Sequence, residues 1–333
     1  MTSTFHSTRR LLISTLAAVA TASAWAQNSE SIYPSKTIVM VVPYAAGGSS
    51  DTRARQVAAK MGQILGKSIV VENRPGAAGN IGTDYIAKAN PDGHVIGIGN
   101  LAPLAVNKAM FAKLSYDPAT DITPIGLIEK GPLVLLVSGQ KSDFKSLGDL
   151  LAWGRANPGK LNYASAGAGG AFHLAGELLE DATAIPMVHV PYKGGGPATT
   201  DMLAGNVHFM FDMIPASLPY VKGNPPKARA LAVATDKRMA LMPDVPTFAE
   251  QGLKGLEVSN WFGLIAPKGT PKAIVNKLND ALNKSLFDPE LSERITSQGN
   301  LVGAGTPEAF ASFIAAESAR WSRIVREKKI QAD

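Results

Sequence analysis

The sequence predicts an α/β protein with two lobes, each built on a mostly parallel β-sheet. Short runs of β-branched residues alternate with helical segments along most of the 333-residue chain, and such alternation is typical of parallel sheets with helical crossovers. Nine strand-like runs would crowd one open sheet, so two sheets are more natural for this length. Two glycine-rich turns, at 43–51 and 164–172, then fall in different lobes.

The elements follow from runs of apolar residues and from the residues that interrupt them. Gly66 is predicted to end the first helix as a left-handed residue, and 91–93 (Pro-Asp-Gly) to form a turn before the third strand. The predicted strands are 38–42, 68–72, 95–99, 133–138, 161–164, 187–190, 207–211, 229–234 and 258–265. The predicted helices are 51–65, 79–89, 101–111, 146–157, 171–181, 197–205, 215–222, 271–287 and 307–328.

Residues 1–26 are predicted to be a signal peptide. Arg9 and Arg10 precede an apolar run at 11–22, and 24–26 (Ala-Trp-Ala) matches an A-x-A cleavage site. The run is shorter than the roughly 20 residues that span a membrane, although an uncleaved anchor is the alternative. Sec and twin-arginine export both remain open. We therefore expect a periplasmic protein that is cleaved after Ala26.

Composition excludes several classes of function. The chain has no cysteine, which excludes disulfides, thiolate metal sites, a catalytic cysteine and a lipid-anchored N-terminus. Its five histidines show no metal-binding spacing, so neither a metal nor a cofactor is expected. The formal net charge of +6 is mild, and no run of lysine and arginine is dense enough to indicate a nucleic-acid surface.

The first glycine-rich turn joins an apolar strand to an amphipathic helix. Pro43 ends the strand, and residues 45–50 are too small to cover their own backbone N–H groups. A helix N-terminus with exposed N–H groups attracts anions because it carries a partial positive charge. Asp51 and Arg55 are spaced for an i,i+4 ion pair on this helix.

The second turn, 161–173, repeats this design and adds the hydroxyl of Ser165. Two opposing helix N-termini would hold a carboxylate without a buried arginine, at about 1.5–3 kcal/mol for each charge-assisted hydrogen bond. The alternative is that the glycines only permit tight packing of strand and helix. Two such turns in an exported two-lobed protein favour ligand binding.

Other polar residues end strands or begin helices. Asp212 ends a strand, and two interpretations are equally good: it meets a donor on a ligand, or it caps the helix that Pro215 begins. Asn100 also ends a strand and would point into the cleft, whereas His173 is typical of a packed or capping residue. The glycine-lysine-serine segment at 62–68 runs from helix to strand, the reverse of a phosphate loop. No serine lies in a nucleophile elbow, so catalysis is not expected.

The chain is expected to cross between lobes twice, near 130–132 and near 252–257. Domain 1 then comprises 31–130 plus 254–333, and domain 2 comprises 131–253. Ligands of open α/β sheets bind beyond the carboxyl ends of the strands, so two such ends that face each other form an interdomain cleft.

Several segments, in order along the mature chain, resemble the Bug-type family, the extracytoplasmic solute receptors of tripartite tricarboxylate transporters. The resemblance rests on 33–36, 42–51, 70–82, 91–93, 163–167, 189–194, 210–212, 241–252 and 261–267. It implies a two-domain, Venus-flytrap fold of the type II-like periplasmic binding proteins, which closes around a small organic carboxylate. It also implies delivery of that carboxylate to membrane permease subunits. We further expect a monomer that binds no nucleic acid.

The resemblance also implies which residues hold the ligand. In this family two glycine-rich loops bind one carboxylate through backbone amides, hydroxyls and water. The matching positions are Tyr44, Ala46, Gly48, Ser49, Ser50, Ser165, Ala166, Gly167, Gly169, Ala171 and Asp212. A sensor that feeds a membrane kinase and a periplasmic ester hydrolase are the alternative functions.

Overall fold

A computed structural model describes residues 33–297, 299–328 and 330 of the chain. The predicted signal peptide, 1–26, and the predicted cleavage after Ala26 lie outside these residues. None of the helices in the described ranges combines the length and the apolar character that a membrane span requires.

Strands and helices alternate through most of the described chain, as the sequence predicts. The strands are β1 (Ile38–Val42), β2 (Ile69–Asn73), β3 (Val95–Asn100), β4 (Ile122–Ser138), β5 (Leu161–Ser165), β6 (Met187–Pro191), β7 (Phe209–Met213), β8 (Ala228–Val233), β9 (Ser259–Pro267) and β10 (Leu301–Val302). The helices are α1 (Ser49–Leu65), α2 (Asn80–Ala87), α3 (Asn107–Met110), α4 (Leu147–Ala156), α5 (Ala171–Thr183), α6 (Gly195–Ala204), α7 (Ile214–Val221), α8 (Lys272–Leu286), α9 (Pro289–Thr296) and α10 (Pro307–Glu327). Short helical turns lie at Ala77–Gly79, Ala102–Val106 and Ala249–Gln251.

The strands form one continuous mixed sheet rather than two separate sheets. Its order is β2-β1-β3-β9-β4-β7-β5-β6, and β8 and β10 also pair with β4. The strands β1 to β3 run parallel, as do β5 to β7, whereas β4 and β9 are antiparallel to their neighbours. We call β1 to β3 with β9 and β10 the first half of the sheet, and β5 to β8 the second half.

The long strand β4 joins the two halves. Residues 122–132 pair with β9, and residues 133–138 pair with β7 and β8. The sequence predicts only 133–138, because Pro124, Gly126 and the Gly131-Pro132 pair read as strand breakers. One register shift, between Pro124 and Gly126, accommodates the first two of these residues, and a second lies between Leu127 and Glu129. The pairing with β9 continues across both shifts and through Gly131 and Pro132.

The chain passes twice between the two halves of the sheet, and the predicted domain bounds, 31–130 plus 254–333 and 131–253, stay a prediction. It enters the second half along β4 at 130–132 and returns between β8 and β9, beyond 252–257. Helix α10 then packs on the first half, where Trp261 donates from Nε1 to Glu317 Oε2 at 3.2 Å. The carboxyl ends of β1, β5 and β6 therefore face a common space above the connecting strands β4 and β9.

Candidate ligand-binding site

A chamber of about 400 Å³, including its opening, lies between the loops that follow β1, β5 and β6. We call it the first chamber. It is lined by Tyr44, Ser49, Ser50, Ala78, Asn100, Ala166, Gly167, Ala168, Gly170, Ala171, Phe172, Gly195, Asn260 and Phe262.

Three helices begin at the wall of the first chamber. They are α1 at Ser49, α5 at Ala171 and α6 at Gly195. The residue before each helix is a glycine, and none of the three helices has a side-chain cap. Their first-turn N–H groups therefore lack the usual capping acceptor, and the three positive helix ends converge on one space.

The lining of the first chamber contains no charged side chain. Its polar groups are the hydroxyls of Tyr44, Ser49 and Ser50, two asparagine amides and the backbone. The Tyr44 hydroxyl donates to Asn100 Oδ1 at 2.9 Å, which places Asn100 in the cleft as predicted. Burial raises the pKa of Tyr44 well above its ordinary range, so its hydroxyl stays protonated. An anion here would be bound by neutral donors and helix dipoles.

Asp51 stabilises the glycine-rich loop between β1 and α1, which we call the first loop. Its carboxylate accepts the Gly47 N–H at 3.1 Å, Arg55 Nη2 at 2.9 Å and Asn73 Nδ2 at 3.0 Å. Burial opposes the charge on Asp51, but these three donors outweigh it and hold the pKa of the carboxyl below its usual value. The predicted i,i+4 ion pair between Asp51 and Arg55 is confirmed. Because Asp51 also accepts the Gly47 N–H, it fixes the loop to the start of the helix.

Ser165 and His173 stabilise the glycine-rich loop between β5 and α5, which we call the second loop. The fully buried Ser165 Oγ accepts the Gly167 N–H at 3.1 Å and lies 2.6 Å from His189 Nε2. His173 Nδ1 accepts the Gly169 N–H at 3.0 Å, and its ring stacks on His189 with centroids 3.9 Å apart. The prediction that His173 is a packed or capping residue is confirmed.

The two halves touch through backbone atoms beside the first chamber. The Ala45 N–H donates to the Lys193 carbonyl at 2.8 Å. A Cβ on Gly194 would lie 2.9 Å from Ala45 N, and one on Gly196 would lie 2.7 Å from the Ala46 oxygen. Only glycine permits such an approach without displacing the opposite loop. The two halves are in contact here, so the cleft between them is closed at this point.

A second chamber, of about 810 Å³ including its mouth, lies on the other side of this contact. It shares Ser49 and Gly195 with the first chamber. Arg53 and Glu129 line it and form an almost fully buried ion pair at 2.8 Å.

Asp212 also lines the second chamber and is 2% exposed. Its Oδ1 accepts the N–H of Met213, the residue before α7, at 2.7 Å. Burial outweighs this hydrogen bond and raises the pKa of Asp212 to about 7. The bond to Met213 places Asp212 at the start of α7; its contact with a ligand stays a prediction.

The structure brings most of the sequence-predicted site residues together. Six of them line the first chamber: Tyr44, Ser49, Ser50, Ala166, Gly167 and Ala171. Gly48 and Asp212 line the second chamber, which Ser49 also reaches. The remaining three, Ala46, Ser165 and Gly169, line neither chamber. Ala46 is exposed, and the other two are buried within their loop.

Sequence reasoning did not name seven residues of the first chamber as site residues. Three of them, Ala168, Gly170 and Phe172, lie within the predicted second turn. The other four are Ala78, Gly195, Asn260 and Phe262. The triple glycine 194–196 was a signal for Gly195, because it follows a strand and opens a helix. Ala78 has a left-handed φ of 55°, and an alanine gives no sequence signal for that conformation. Asn260 and Phe262 belong to β9, which comes from far along the chain, so no local pattern could reveal them.

Comparison with known proteins places this chain in a family. The model of the tripartite tricarboxylate transporter family receptor matches residues 53–330. Protein BugT of Bordetella pertussis is 37% identical over 310 residues, which cover 93% of this chain and 94% of that protein.

Two solved structures have the same fold. Rpa4515 of R. palustris with adipate has a TM-score of 0.85 and 35% identity, and the match covers 90% of this chain and 99% of that one. MatC of Rhodopseudomonas palustris with bound malate has a TM-score of 0.82 and 35% identity, and the match covers 88% of this chain and all (100%) of that one. The chain thus has the Venus-flytrap-like fold of periplasmic binding proteins. The chain belongs to the Bug-type receptors of the tripartite tricarboxylate transporter family.

Proposed function

We propose that this receptor binds a small organic carboxylate in the first chamber and delivers it to membrane permease subunits of a tripartite tricarboxylate-type transporter. The observation that carries the proposal is the convergence of three uncapped helix N-termini on a chamber without charged lining residues. Adipate and malate in the two similar structures are both carboxylates, which supports the same class here.

The proposed contacts divide between two roles. Ser49, Ser50 and Ala171 offer N–H groups of helix first turns, and Tyr44, Ala166 and Gly167 complete the wall. The buried pair Ser165 and Gly169 would act by holding the second loop in place. Ala46 and Gly48 would act at the contact between halves, where closing brings them against Gly196.

Closure is proposed to be a hinge motion between 31–130 plus 254–333 and 131–253. The bond from Ala45 to Lys193 links these parts, and Lys328 pairs with Asp181 across them at the surface. The receptor is further proposed to act as a monomer in the periplasm, after cleavage behind Ala26.

We propose no catalytic role. The pair Ser165 and His189 has the spacing of a nucleophile and base, at 2.6 Å. However, Ser165 is fully buried, its Oγ accepts the Gly167 N–H, and it lines neither chamber. A substrate in the cleft would not reach this hydroxyl, which argues against the hydrolase alternative.

A thermal-shift panel of mono- and dicarboxylates, aromatic acids and amino acids tests the proposal. A carboxylate at about 100 times its dissociation constant should add about 2.7 kcal/mol to the free energy of unfolding. Matching sugars and neutral alcohols serve as controls and should give no shift. The proposal is wrong if no carboxylate raises the melting temperature while an uncharged compound does.

A further inference from the structure

The second chamber is not the proposed site of the carboxylate, and its wall differs in charge from that of the first chamber. It has a volume of about 810 Å³, including its mouth. Three buried charged side chains line it, those of Arg53, Glu129 and Asp212, whereas the lining of the first chamber contains none. The two chambers therefore suit ligands of different charge.

Arg53 and Glu129 compensate each other's charge. Their ion pair is 2.8 Å long and almost fully buried. Glu129 Oε2 also accepts Asn300 Nδ2 at 2.8 Å, and Arg53 Nη1 donates to Gln56 Oε1 at 2.6 Å. Because this pair is held by its own neighbours, Asp212 is left as the charged group of the chamber without a counter-ion.

Asp212 is a buried carboxylate without a cationic partner. It is 2% exposed, and within the described chain its side chain accepts one hydrogen bond, from the Met213 N–H to Oδ1 at 2.7 Å. No lysine, arginine or histidine of the described ranges pairs with it. Burial of this uncompensated charge raises the pKa of Asp212 to about 7. A carboxylate in such surroundings is more typical of a functional site than of a structural one.

The second carboxylate oxygen, Asp212 Oδ2, is open to the second chamber. It accepts no hydrogen bond from the described residues, and it is not among the unpaired side-chain atoms that the fold seals off completely. Hydroxyl-bearing residues and prolines form much of the remaining wall: Ser49, Thr52, Thr199, Pro215 and Pro219. Hydroxyls accept hydrogen bonds as well as donating them, so this wall suits a small cation with N–H donors and a short apolar part.

We propose that the second chamber binds a small primary ammonium ion, which donates a hydrogen bond to Asp212 Oδ2 and places its alkyl part against Pro215 and Pro219. The ammonium group supplies the counter-ion that Asp212 lacks, and charge-assisted hydrogen bonds to a carboxylate are among the stronger contacts in proteins. The site is separate from that of the carboxylate in the first chamber, so it does not rest on the proposed function.

The position of this site also couples it to closure of the cleft. Thr52 and Arg53 belong to α1, which follows β1 of the first half, whereas Thr199 and Asp212 belong to α6 and β7 of the second half. An ammonium ion between these walls favours the closed form, as a carboxylate in the first chamber is proposed to do. Each ligand should therefore raise the affinity for the other by the same factor. This coupling, unlike the site itself, rests on the proposed function.

Isothermal titration of the ligand-free protein at pH 8 and low ionic strength tests the site. At this pH Asp212 is mostly ionised, and an alkylamine is still protonated. Propylammonium should bind at one site, about tenfold or more tightly than 1-propanol, which has nearly the same size and no charge. Tetramethylammonium, which has the charge but no N–H group, should bind more weakly than propylammonium. Potassium chloride is the control for nonspecific binding of cations.

Two variants connect the binding to the second chamber. Asp212→Asn keeps the shape of the side chain without its charge and should weaken propylammonium binding roughly tenfold. Ala216→Leu leaves Asp212 in place but adds bulk to a residue of α7 that lines the chamber, and it should weaken binding as well. Asp201→Asn, on α6 outside both chambers, is the control and should bind propylammonium like the unmodified protein. The melting temperature of each ligand-free variant verifies that it folds.

A second titration, with the carboxylate at saturation, measures the coupling and should lower the dissociation constant of propylammonium about fivefold or more. An unchanged dissociation constant contradicts the coupling. The site itself is overturned if propylammonium binds no better than 1-propanol or potassium, or if its binding survives both Asp212→Asn and Ala216→Leu. A protein that binds propylammonium but no carboxylate contradicts the proposed function and leaves the ammonium site intact.

Discussion

At the scale of single residues, two serines that the sequence treats alike have different surroundings. Ser49 begins α1 and lines both chambers. Ser165 is fully buried and accepts the Gly167 N–H, beneath the second loop. The sequence could place both in glycine-rich turns, but their surroundings depend on His189, which the fold supplies from a neighbouring strand.

We therefore expect the two serine variants to separate binding from stability. Ser49→Ala should weaken carboxylate binding several-fold and leave the melting temperature of the ligand-free protein nearly unchanged, since it removes a partly exposed hydroxyl. Ser165→Ala should reduce the free energy of unfolding by about 1–3 kcal/mol, because it leaves a buried N–H without an acceptor. Ligand titration and thermal unfolding of each variant measure both effects. A Ser165→Ala variant with the stability and ligand affinity of the unmodified protein would contradict the account of the second loop.

Asp212 makes the stability of the protein depend on pH in an unusual direction. Its pKa is raised from the ordinary 3.8 to about 7, so between these values the folded protein retains a proton that the unfolded chain has lost. The contribution of Asp212 to the free energy of unfolding therefore falls as pH rises through this range and is level above it. The fall amounts to roughly 1.4 kcal/mol for each unit of pKa shift.

Asp212→Asn should remove this contribution. Denaturant unfolding of the unmodified protein and the variant between pH 4 and pH 8 measures the difference, in which the effects of other carboxylates cancel. We expect the variant to gain stability relative to the unmodified protein as pH increases. A constant difference across the range would mean that Asp212 titrates normally in the folded protein. Asp201→Asn is the control, because it makes the same change at a carboxylate that binds Tyr192 outside both chambers.

At the scale of elements, the sequence predicts regular structure well where the pattern is local. All nine predicted strands and all nine predicted helices are present, and Gly66 ends α1 with a left-handed φ of 66°. Helix α9 was missed although Asp288 caps it and Pro289 begins it, which is a sequence signal for a helix start. The first part of β4 was missed because its prolines and glycines are accommodated only by pairing with β9.

The contact between halves depends on glycines at the start of α6. A Cβ on Gly196 would lie 2.7 Å from the Ala46 carbonyl oxygen of the opposite loop. Gly196→Ala should therefore hold the halves apart and weaken binding by roughly tenfold or more, since overpacking costs about 1–3 kcal/mol. Alanine is favourable within a helix, so the second half should remain folded.

Titration together with small-angle scattering in the presence of ligand measures this effect. Gly148→Ala in α4 is the matched control, because the nearest atom to its new Cβ is 3.5 Å away, on Ser146. The control should close and bind like the unmodified protein. Full closure of Gly196→Ala with unchanged affinity would show that this contact does not limit closing.

At the scale of the whole molecule, function depends on how the two similar halves are joined by the connecting strands β4 and β9. The sequence indicates the two glycine-rich turns and the two crossings, which are local features. It does not reveal that Asn260, from β9, lies in the same chamber as Ser49 and Ala171. Such a meeting depends on the order of strands in the sheet, which sequence patterns alone do not determine.

The central claim is that helix N-termini and neutral donors in the first chamber hold a carboxylate by its charge. Isothermal titration of the tightest-binding carboxylate and of its primary amide, which has nearly the same shape without the charge, tests this claim most directly. Charge-assisted hydrogen bonds contribute about 1.5–3 kcal/mol each, against about 0.5–1.5 for neutral ones. We predict one site for the carboxylate and an amide that binds at least about 100-fold more weakly. Equal affinity of the two compounds would contradict the account.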